Sequence, residues 1–297
     1  MRGWVFRVNV SGKTKVCALI GDPVEHSLSP TIQNAAFHHL NLDYIYVAFN
    51  VQADQLKNAI LGVKGLGIHG LNVTMPHKIN IIKYLDELDE TAEKVGSVNT
   101  VLNRSGRLIG YTTDGIGALN ALKYAGSNPS GKKIVVLGAG GASRSICFTL
   151  AEYACELIIL NRTLKKAVDL ANNIRKVLGE RTSVRAAVLT NENLERELKN
   201  ADILINATSV GMKPNDAYTP VNRSFLHRNL TVFDIVYEPL ETRLLREARL
   251  IGAKTIDGLS MLIHQGAVSF EIWTNVKAPI KVMREAALRK IREAEKQ

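Results

Sequence analysis

The sequence of 297 residues has little cysteine, and the three it contains, Cys17, Cys147 and Cys155, follow no CxxC or zinc-binding spacing. Sparse, unpatterned cysteine argues against a disulfide framework and favours a reduced protein, so we expect a cytoplasmic location. Seven histidines are scattered, apart from the neighbouring His38 and His39, and their spacing predicts no metal site.

Long apolar runs are also missing. No stretch approaches the roughly 20 apolar residues that a membrane-spanning helix needs. The opening Met1-Arg2-Gly3-Trp4 lacks the apolar core of a signal peptide. We therefore predict no membrane association, and residues 1–14 have no readable role.

Basic runs interleaved with aromatic residues are absent too, although Lys and Arg number 38 against 28 Asp and Glu, a formal charge of +10. Scattered basic residues of this kind predict no nucleic-acid partner. The positive field instead suits anionic small molecules. With 46% hydrophobic residues the chain can bury a sizeable core, and its length predicts two domains.

The segment from Lys132 to Thr163 predicts a dinucleotide-binding unit. An apolar run at 134–137 leads into a glycine-rich turn, then a helix, then a second apolar run at 157–160. This order of strand, glycine turn, helix and strand is typical of a Rossmann βαβ unit. Gly138 permits the tight turn, while Gly140 and Gly141 let the backbone approach a pyrophosphate beside the helix N-terminus.

The end of the second apolar run indicates which cofactor binds. NAD-binding units usually carry Asp or Glu there to hold the ribose 2′-hydroxyl, whereas this chain has Asn161-Arg162-Thr163. Arg162 can pair with a 2′-phosphate, so we predict NADP(H) rather than NAD(H). The alternative is that Arg162 is a solvated charge and Thr163 only the N-cap of the next helix, a role compatible with phosphate binding.

The N-terminal part also reads as alternating strands and helices, and thus as α/β. Ser29 and Pro30 predict the N-cap and first residue of one helix. Ser27 lacks such a structural role, and its position after a strand suits a carboxylate-bearing ligand. Pro76 predicts the start of another helix, which turns Ile79, Ile82 and Leu85 inward. Residues 97–111 predict a hairpin.

Lys78 and Asp114 are the candidate catalytic pair. A nicotinamide cofactor supplies hydride, and the protein must supply a proton to the reacting C–O group. A lysine beside a carboxylate in a closed cleft can donate or accept that proton. Spacing alone leaves the alternatives open that Lys78 is a surface residue and Asp114 a helix N-cap.

Motifs along nearly the whole chain past residue 14 resemble the shikimate dehydrogenase family, in order and at family-like spacing. They are Glu25 to Pro30, Asn72 to Lys78, Val98 to Thr100, Thr113 to Gly115, Gly138 to Ala142, Asn161 to Thr163, Asn206 to Met212, Tyr237 and Asp257 to Gln265. The chain departs from the family at Thr112, where asparagine is usual.

The resemblance implies reversible NADPH-dependent reduction of 3-dehydroshikimate to shikimate, a step of aromatic amino-acid (chorismate) biosynthesis, with Lys78 and Asp114 as the acid–base pair. The residues implied to hold the substrate are Ser27, Ser29, Thr74, Lys78, Asn99, Asp114, Tyr237 and Gln265. Those implied to hold NADP are Gly138, Ala139, Gly140, Gly141, Ala142, Asn161, Arg162, Thr163, Lys166, Ile235, Gly258 and Met261.

The resemblance also implies a domain organisation. Residues 1–114 and 259–297 would form an α/β substrate-binding and catalytic domain, and residues 115–258 a Rossmann NADP-binding domain, with the last helices packing back on the first domain. Two other activities stay open: a quinate/shikimate dehydrogenase, and a ligand-sensing regulator that has lost turnover. The sequence is compatible with a homodimer but does not specify one.

Overall fold

The computed structural model describes residues 10–179 and 182–294, which form two six-stranded sheets with helices around them. The first nine residues of the segment without a readable role lie outside the described residues. Residues 10–14 precede the first strand. The alternation of strands and helices confirms the predicted α/β class.

The N-terminal sheet has the strand order β2-β1-β3-β5-β6-β4. Its strands are β1 Lys15–Gly21, β2 Tyr44–Asn50, β3 Gly70–Val73, β4 Glu87–Leu88, β5 Thr100–Arg104 and β6 Arg107–Tyr111. Strand β1 pairs in parallel with β2 and β3, while β5 is antiparallel to β3 and β6. The β5–β6 pair is the predicted hairpin, and it turns through Ser105 and Gly106, both at positive φ.

Three helices belong to this half: α1 Ser29–His39, α2 Leu56–Gly65 and α3 Glu90–Val95. The prediction that Ser29 caps α1 is wrong, because Leu28 holds the N-cap position and makes no side-chain cap bond. Ser29 is instead the first helical residue, and its N–H donates to Ser27 Oγ over 3.2 Å. The contact links Ser29, for which the sequence predicted a capping role, to Ser27, for which it predicted ligand binding.

The helix predicted from Pro76 does not form. Residues 75–79 are turns, and only Asn80–Tyr84 coil into a short 3₁₀ helix. Long-range bonds hold this segment away from helical geometry: Val98 N–H donates to the Lys78 carbonyl (2.8 Å), and His77 Nε2 bonds the Val51 carbonyl (2.6 Å). A different set of side chains turns inward as a result. Ile81 is buried, Ile82 and Leu85 are partly buried, and Ile79 is exposed.

The second sheet is parallel throughout, with the order β12-β11-β10-β7-β8-β9. Its strands are β7 Lys133–Leu137, β8 Glu156–Asn161, β9 Val184–Val188, β10 Ile203–Asn206, β11 Thr231–Asp234 and β12 Lys254–Ile256, and its helices are α4 Asp114–Tyr124, α5 Gly141–Ala151, α6 Leu164–Leu178, α7 Asn191–Leu198 and α8 Arg243–Leu250. Apolar clusters cover both faces of the sheet. This is the predicted Rossmann-type arrangement, and its strand order reverses between β7 and β10, where such sheets bind ligands.

Helices α9 Gly258–Thr274 and α10 Ile280–Ala294 return to the N-terminal sheet. Phe270 of α9 and Met283 of α10 are buried in one cluster with Cys17 and Phe37. Near its start, α9 also contributes Met261 to the core of the second sheet. Helix α9 therefore packs against both halves. Across residues 10–179 and 182–294, no helix is long and apolar enough to span a membrane.

Candidate active site

The predicted catalytic pair meets where the N-terminal sheet adjoins the first helix of the second half. Lys78 lies in the turn after β3, and Asp114 is the first residue of α4. Lys78 Nζ donates to Asp114 Oδ2 over 2.5 Å, and the two side chains are 16% and 4% exposed. The bond from Val98 N–H fixes the backbone that carries Lys78. Two charges shielded from water in this way interact strongly, which favours controlled proton transfer.

Asn99 connects this pair to the C-terminal helix. Its Nδ2 donates to Asp114 Oδ1 (3.0 Å) and lies 3.2 Å from Gln265 Oε1 on α9. Its Oδ1 accepts from the N–H of Thr113 at 2.7 Å. Asn99 and Gln265, which meet here, are 166 positions apart in the sequence. Each oxygen of the Asp114 carboxylate accepts a hydrogen bond, one from Lys78 and one from Asn99.

Ser27, Ser29 and Tyr237 form a second polar group. Burial raises the pKa of Tyr237, and the neighbouring Ser27 hydroxyl opposes that shift. Ser29 is buried near the Tyr46 hydroxyl, and its N–H bonds Ser27 Oγ. A cluster of hydroxyl groups suits a polar ligand that carries a carboxylate.

Thr74 follows β3 and packs against β1. A Cβ built at Gly21 would lie 2.2 Å from Thr74 Cγ2 and 2.9 Å from the Met75 carbonyl oxygen, so this approach requires glycine. Thr74 N–H donates to the Ile20 carbonyl at 2.9 Å. The two strand ends therefore stand side by side at the edge that carries Lys78.

The sequence prediction did not include a buried polar chain behind this site. Tyr46 donates to Asn72 Oδ1 (2.8 Å), and Asn72 Nδ2 donates to Ser269 Oγ on α9 (3.0 Å) and to Thr100 Oγ1 (3.1 Å). One signal was available, since Asn72 interrupts an otherwise apolar strand and a buried amide needs partners. Tyr46 gave no such signal, because tyrosine is common in strands.

The glycine turn lies where the second sheet reverses its strand order. Gly138 has φ +106°, and a Cβ built there would lie 2.9 Å from the Ala207 carbonyl oxygen. Ser143 Oγ donates to the Gly138 carbonyl over 2.6 Å, which closes the turn. Helix α5 then begins at Gly141, and the N–H groups of its first turn are free to bind an anion. The turn formed by residues 138–142 fits a cofactor pyrophosphate.

This turn also lies close to Lys78. A Cβ built at Gly141 would lie 3.1 Å from Lys78 Cβ and 3.3 Å from Ser97 Oγ. Thr112, which replaces the asparagine usual in the family, bonds Ser145 Oγ of α5 at 2.6 Å. The replacement thus contacts the nucleotide half and leaves the bonds of Asp114 to Lys78 and Asn99 in place.

Asn161, Arg162, Thr163 and Lys166 lie around the turn from β8 to α6, remote from the catalytic pair along the sheet edge. Arg162 and Lys166 are exposed, and within the described residues neither side chain makes a hydrogen bond or ion pair. Asn161 Nδ2 donates to the Thr163 carbonyl (2.9 Å), which shapes the turn. Thr163 occupies the N-cap position of α6 without a side-chain cap bond. Two unpaired cations without a carboxylate at the strand end suit a 2′-phosphate.

Ile235, Gly258 and Met261 lie close to one another where α9 begins. Ile235 packs against the same apolar cluster as Ala139, and Met261 is a buried member of it. A Cβ built at Gly258 would lie 2.3 Å from the Val236 carbonyl oxygen, so glycine is required there. Groups of three or more His, Cys, Asp or Glu placed to hold a metal do not occur among the described residues.

Three family models match successive parts of the chain. The shikimate dehydrogenase substrate binding domain matches residues 19–101, shikimate/quinate 5-dehydrogenase matches residues 120–236, and the shikimate 5′-dehydrogenase C-terminal domain matches residues 258–288. Together these matches cover most of both sheets and the whole of the returning helix α9.

Whole-chain relatives agree with the domain matches. Shikimate dehydrogenase (NADP(+)) of Methanopyrus kandleri is 48% identical over 96% of this chain and 99% of its own. A crystal structure of a shikimate dehydrogenase in complex with NADP+ is 48% identical and superposes with a TM-score of 0.89, covering 95% of this chain and 97% of its own. The Listeria monocytogenes shikimate 5-dehydrogenase, in complex with shikimate and NAD, is 41% identical with a TM-score of 0.86, covering 93% and 97%.

The fold, the order of the family matches and identity of nearly one half over almost the full length lead to one conclusion: this chain belongs to the shikimate dehydrogenase family.

Proposed function

We propose that Lys78 and Asp114 are the acid–base pair of an NADP-dependent shikimate dehydrogenase, which reversibly reduces 3-dehydroshikimate to shikimate in aromatic amino-acid biosynthesis. The observation that carries this proposal is the 2.5 Å bond between the two side chains, buried beside the glycine turn. The activity is that of the relatives, which are named shikimate dehydrogenase (NADP(+)).

Lys78 gives its proton to the carbonyl oxygen during reduction and takes a proton from the hydroxyl in the reverse direction. Asp114 orients the ammonium group of Lys78, and Asn99 donates a hydrogen bond to the second carboxylate oxygen of Asp114. NADPH supplies the hydride when it is bound. The protein residues therefore need only place the C–O group and move one proton.

We assign the other parts of the substrate to the remaining polar residues. Ser27, Ser29 and Tyr237 take the carboxylate, because Ser27 lies next to both Ser29 and Tyr237. Thr74, Asn99, Asp114 and Gln265 take the ring hydroxyls, because Asn99 bonds both Asp114 and Gln265, and Thr74 lies in the segment between β3 and Lys78. This division places the reacting carbon between Lys78 and the glycine turn.

For the cofactor, we assign the pyrophosphate to residues 138–142, and the 2′-phosphate to Arg162 and Lys166 with Asn161 and Thr163 at their turn. The nicotinamide lies against Ile235, Gly258 and Met261. The exposed cations support the phosphate assignment, and the contact of Gly141 with Lys78 supports the order of the parts along the sheet edge.

Residues 1–114 and 259–297 then form the substrate domain and residues 115–258 the NADP domain, a division supported by the packing of α9 and α10 on the N-terminal sheet. A cytoplasmic location and a homodimer complete the proposal. Fractionation against a cytosolic marker tests the first. Sedimentation at micromolar concentration tests the second, because a dimer has twice the mass of the chain.

The deciding experiment follows absorbance of the reduced cofactor with purified protein, either shikimate or quinate, and either NADP or NAD. We expect NADP reduction with shikimate, and slower rates with quinate or NAD. Comparable rates with quinate would make the protein a quinate/shikimate dehydrogenase. A folded protein that binds NADP and reduces it with neither substrate would be a ligand-sensing regulator.

A further inference from the structure

Asp234 is a fully buried carboxylate at the end of β11 that the proposed chemistry does not use. Its Oδ1 accepts from Asn206 Nδ2 (3.0 Å) and from the N–H of Val236 (3.1 Å), and its Oδ2 accepts from Thr242 Oγ1 (2.7 Å). In the described part of the chain these partners are all neutral. Burial raises the pKa of Asp234 to about 6. Burial of a carboxylate without a cationic partner is unfavourable for folding, so its presence suggests a functional role.

The partners of Asp234 tie together two strand ends. Asn206, also fully buried, ends the neighbouring strand β10 and stands opposite Asp234 in the parallel register. The Asn206 side chain also donates to the Val210 carbonyl (3.2 Å) and accepts from the Thr208 hydroxyl (2.7 Å), so it shapes the loop that follows β10. Thr242 is the N-cap of α8, and its hydroxyl donates to the second carboxylate oxygen of Asp234.

The two segments that Asp234 joins, after β10 and after β11, contact the residues to which we assign the nicotinamide. The residue after Asn206 is Ala207, whose carbonyl oxygen is the atom that a Cβ at Gly138 would meet at 2.9 Å. The Val236 carbonyl is the atom that a Cβ at Gly258 would meet at 2.3 Å. One buried group therefore fixes the backbone that contacts the glycine turn on one side and the start of α9 on the other.

We infer that Asp234, together with Asn206 and Thr242, is a positioning residue that fixes the backbone of Ile235 and Tyr237 after the end of β11, so that nicotinamide and substrate meet in register. The inference rests on the proposed function, because Ile235 and Tyr237 have their roles only there. Asp234 acts through its neighbours and touches neither reactant.

Asp234→Asn tests this, because it keeps the side-chain shape and replaces one acceptor oxygen with a donor. We expect kcat/KM for shikimate to fall about tenfold to a hundredfold, through both a lower kcat and a higher KM, as expected for reactants displaced by a fraction of an ångström. The Kd for NADP, measured calorimetrically, should change less than about threefold, because the pyrophosphate and 2′-phosphate contacts remain.

Glu197→Gln is the matched control, since Glu197 is another buried carboxylate of the same half and lies on α7. It should leave the KM for shikimate unchanged. A purely structural role for Asp234 would lower kcat with unaltered KM, because the molecules that stay folded are normal. That pattern, or an unaffected Asp234→Asn enzyme, overturns the inference.

Thr242→Val and Thr242→Ser form a second pair, which decides the question should Asp234→Asn fail to fold. The valine variant should raise the KM for shikimate and the serine variant should restore it, because serine keeps the hydroxyl that Asp234 accepts. Equal KM values in both variants overturn the inference. Inactive wild-type protein overturns the proposed function, and this inference with it. Active wild-type protein with unaffected variants overturns the inference alone.

Discussion

Asp114 and Asp234 are buried aspartates in the two halves of the molecule, and their surroundings differ in one respect. Asp114 accepts a bond from the ammonium group of Lys78, whereas the donors to Asp234 among the described residues are all neutral. A carboxylate paired with a titratable cation can take part in proton transfer. A carboxylate that joins two strand ends through neutral donors fixes backbone and side chains. We therefore expect Asp114 to act in the chemistry and Asp234 in the geometry of the site.

The same contrast extends to the cations. Lys78 is largely shielded from water and already paired, while Arg162 is exposed and unpaired within the described residues. A preorganised lysine contributes in the transition state, because its position is fixed before the substrate arrives. An exposed arginine contributes only when its phosphate partner is bound. Substitutions of these two cations should therefore change different kinetic constants.

The largest effect is expected from Lys78→Ala. Loss of the proton donor should lower kcat by about 10² to 10⁴-fold, with a much smaller change in shikimate Kd. Steady-state rates and calorimetric titration with shikimate measure the two quantities.

Lys133→Ala provides the control for Lys78→Ala, since Lys133 is a similarly shielded lysine paired with Glu197 away from the site. It should lower the unfolding midpoint and leave kcat unchanged. Equal losses of turnover and shikimate affinity in Lys78→Ala would contradict the assigned role of Lys78.

A smaller effect is expected from Arg162→Ala. Loss of a charge-assisted contact worth about 1.5 to 3 kcal/mol should raise the KM for NADP by roughly tenfold to a hundredfold and leave the KM for NAD unchanged. Initial rates with both cofactors give the ratio. The neighbouring Lys165→Ala is the control, because Lys165 is paired with Asp169. An unchanged ratio of NADP to NAD affinity in Arg162→Ala would show that Arg162 is only a solvated charge.

The smallest effects concern pH and stability, and they have opposite signs at two carboxylates of the second half. Bonds from Arg185, Arg196 and Lys133 lower the pKa of Glu197 to about 2, although its burial opposes the shift. Its contribution is fully present above the ordinary value of 4.5 and is lost as pH falls through about 2. Glu197→Gln should therefore cost about 1 to 2 kcal/mol at pH 7, after allowing for the half-exposed Arg185, and less at pH 3.

Asp234 behaves in the opposite way, because burial raises its pKa from 3.8 to about 6. The folded state then holds the proton more tightly than the unfolded chain, so the contribution of Asp234 to stability declines as pH rises from about 4 to 6. The free energy of unfolding of Asp234→Asn, relative to wild type, should rise by about 1 to 3 kcal/mol between pH 4 and pH 7. Urea unfolding across that range measures it, and a relative stability that falls with rising pH would refute the assignment.

Local sequence patterns were sufficient to predict the framework of the second half. The apolar run before Gly138, the glycine turn and the helix after it fall where the pattern placed them, because strand and helix periodicity and glycine conformations act within a few residues. Asn161 to Thr163 likewise follow β8 directly, so their position at the sheet edge could be inferred.

The predictions that failed were those that distant contacts decided. Pro76 permits a helix, but the bond from Val98 to the Lys78 carbonyl and the bond between His77 and the Val51 carbonyl hold the segment as turns. Serine is a residue type that favours the N-cap, yet Ser29 is the first residue of α1 and is buried near Tyr46. Propensity is a weak preference, and tertiary bonds override it.

The two α/β halves, the glycine turn and the lack of an acidic residue after β8 could all be read from the sequence, and the family could be inferred through resemblance. The pairing of Lys78 with Asp114, of Asn72 with Ser269 and of Asp234 with Asn206 became visible only in the folded chain. The difference lies in the sequence distance over which each interaction acts. Backbone preferences are local and can be read in order along the chain, whereas the partner of a buried polar group is set by which strand ends and helices the fold brings together.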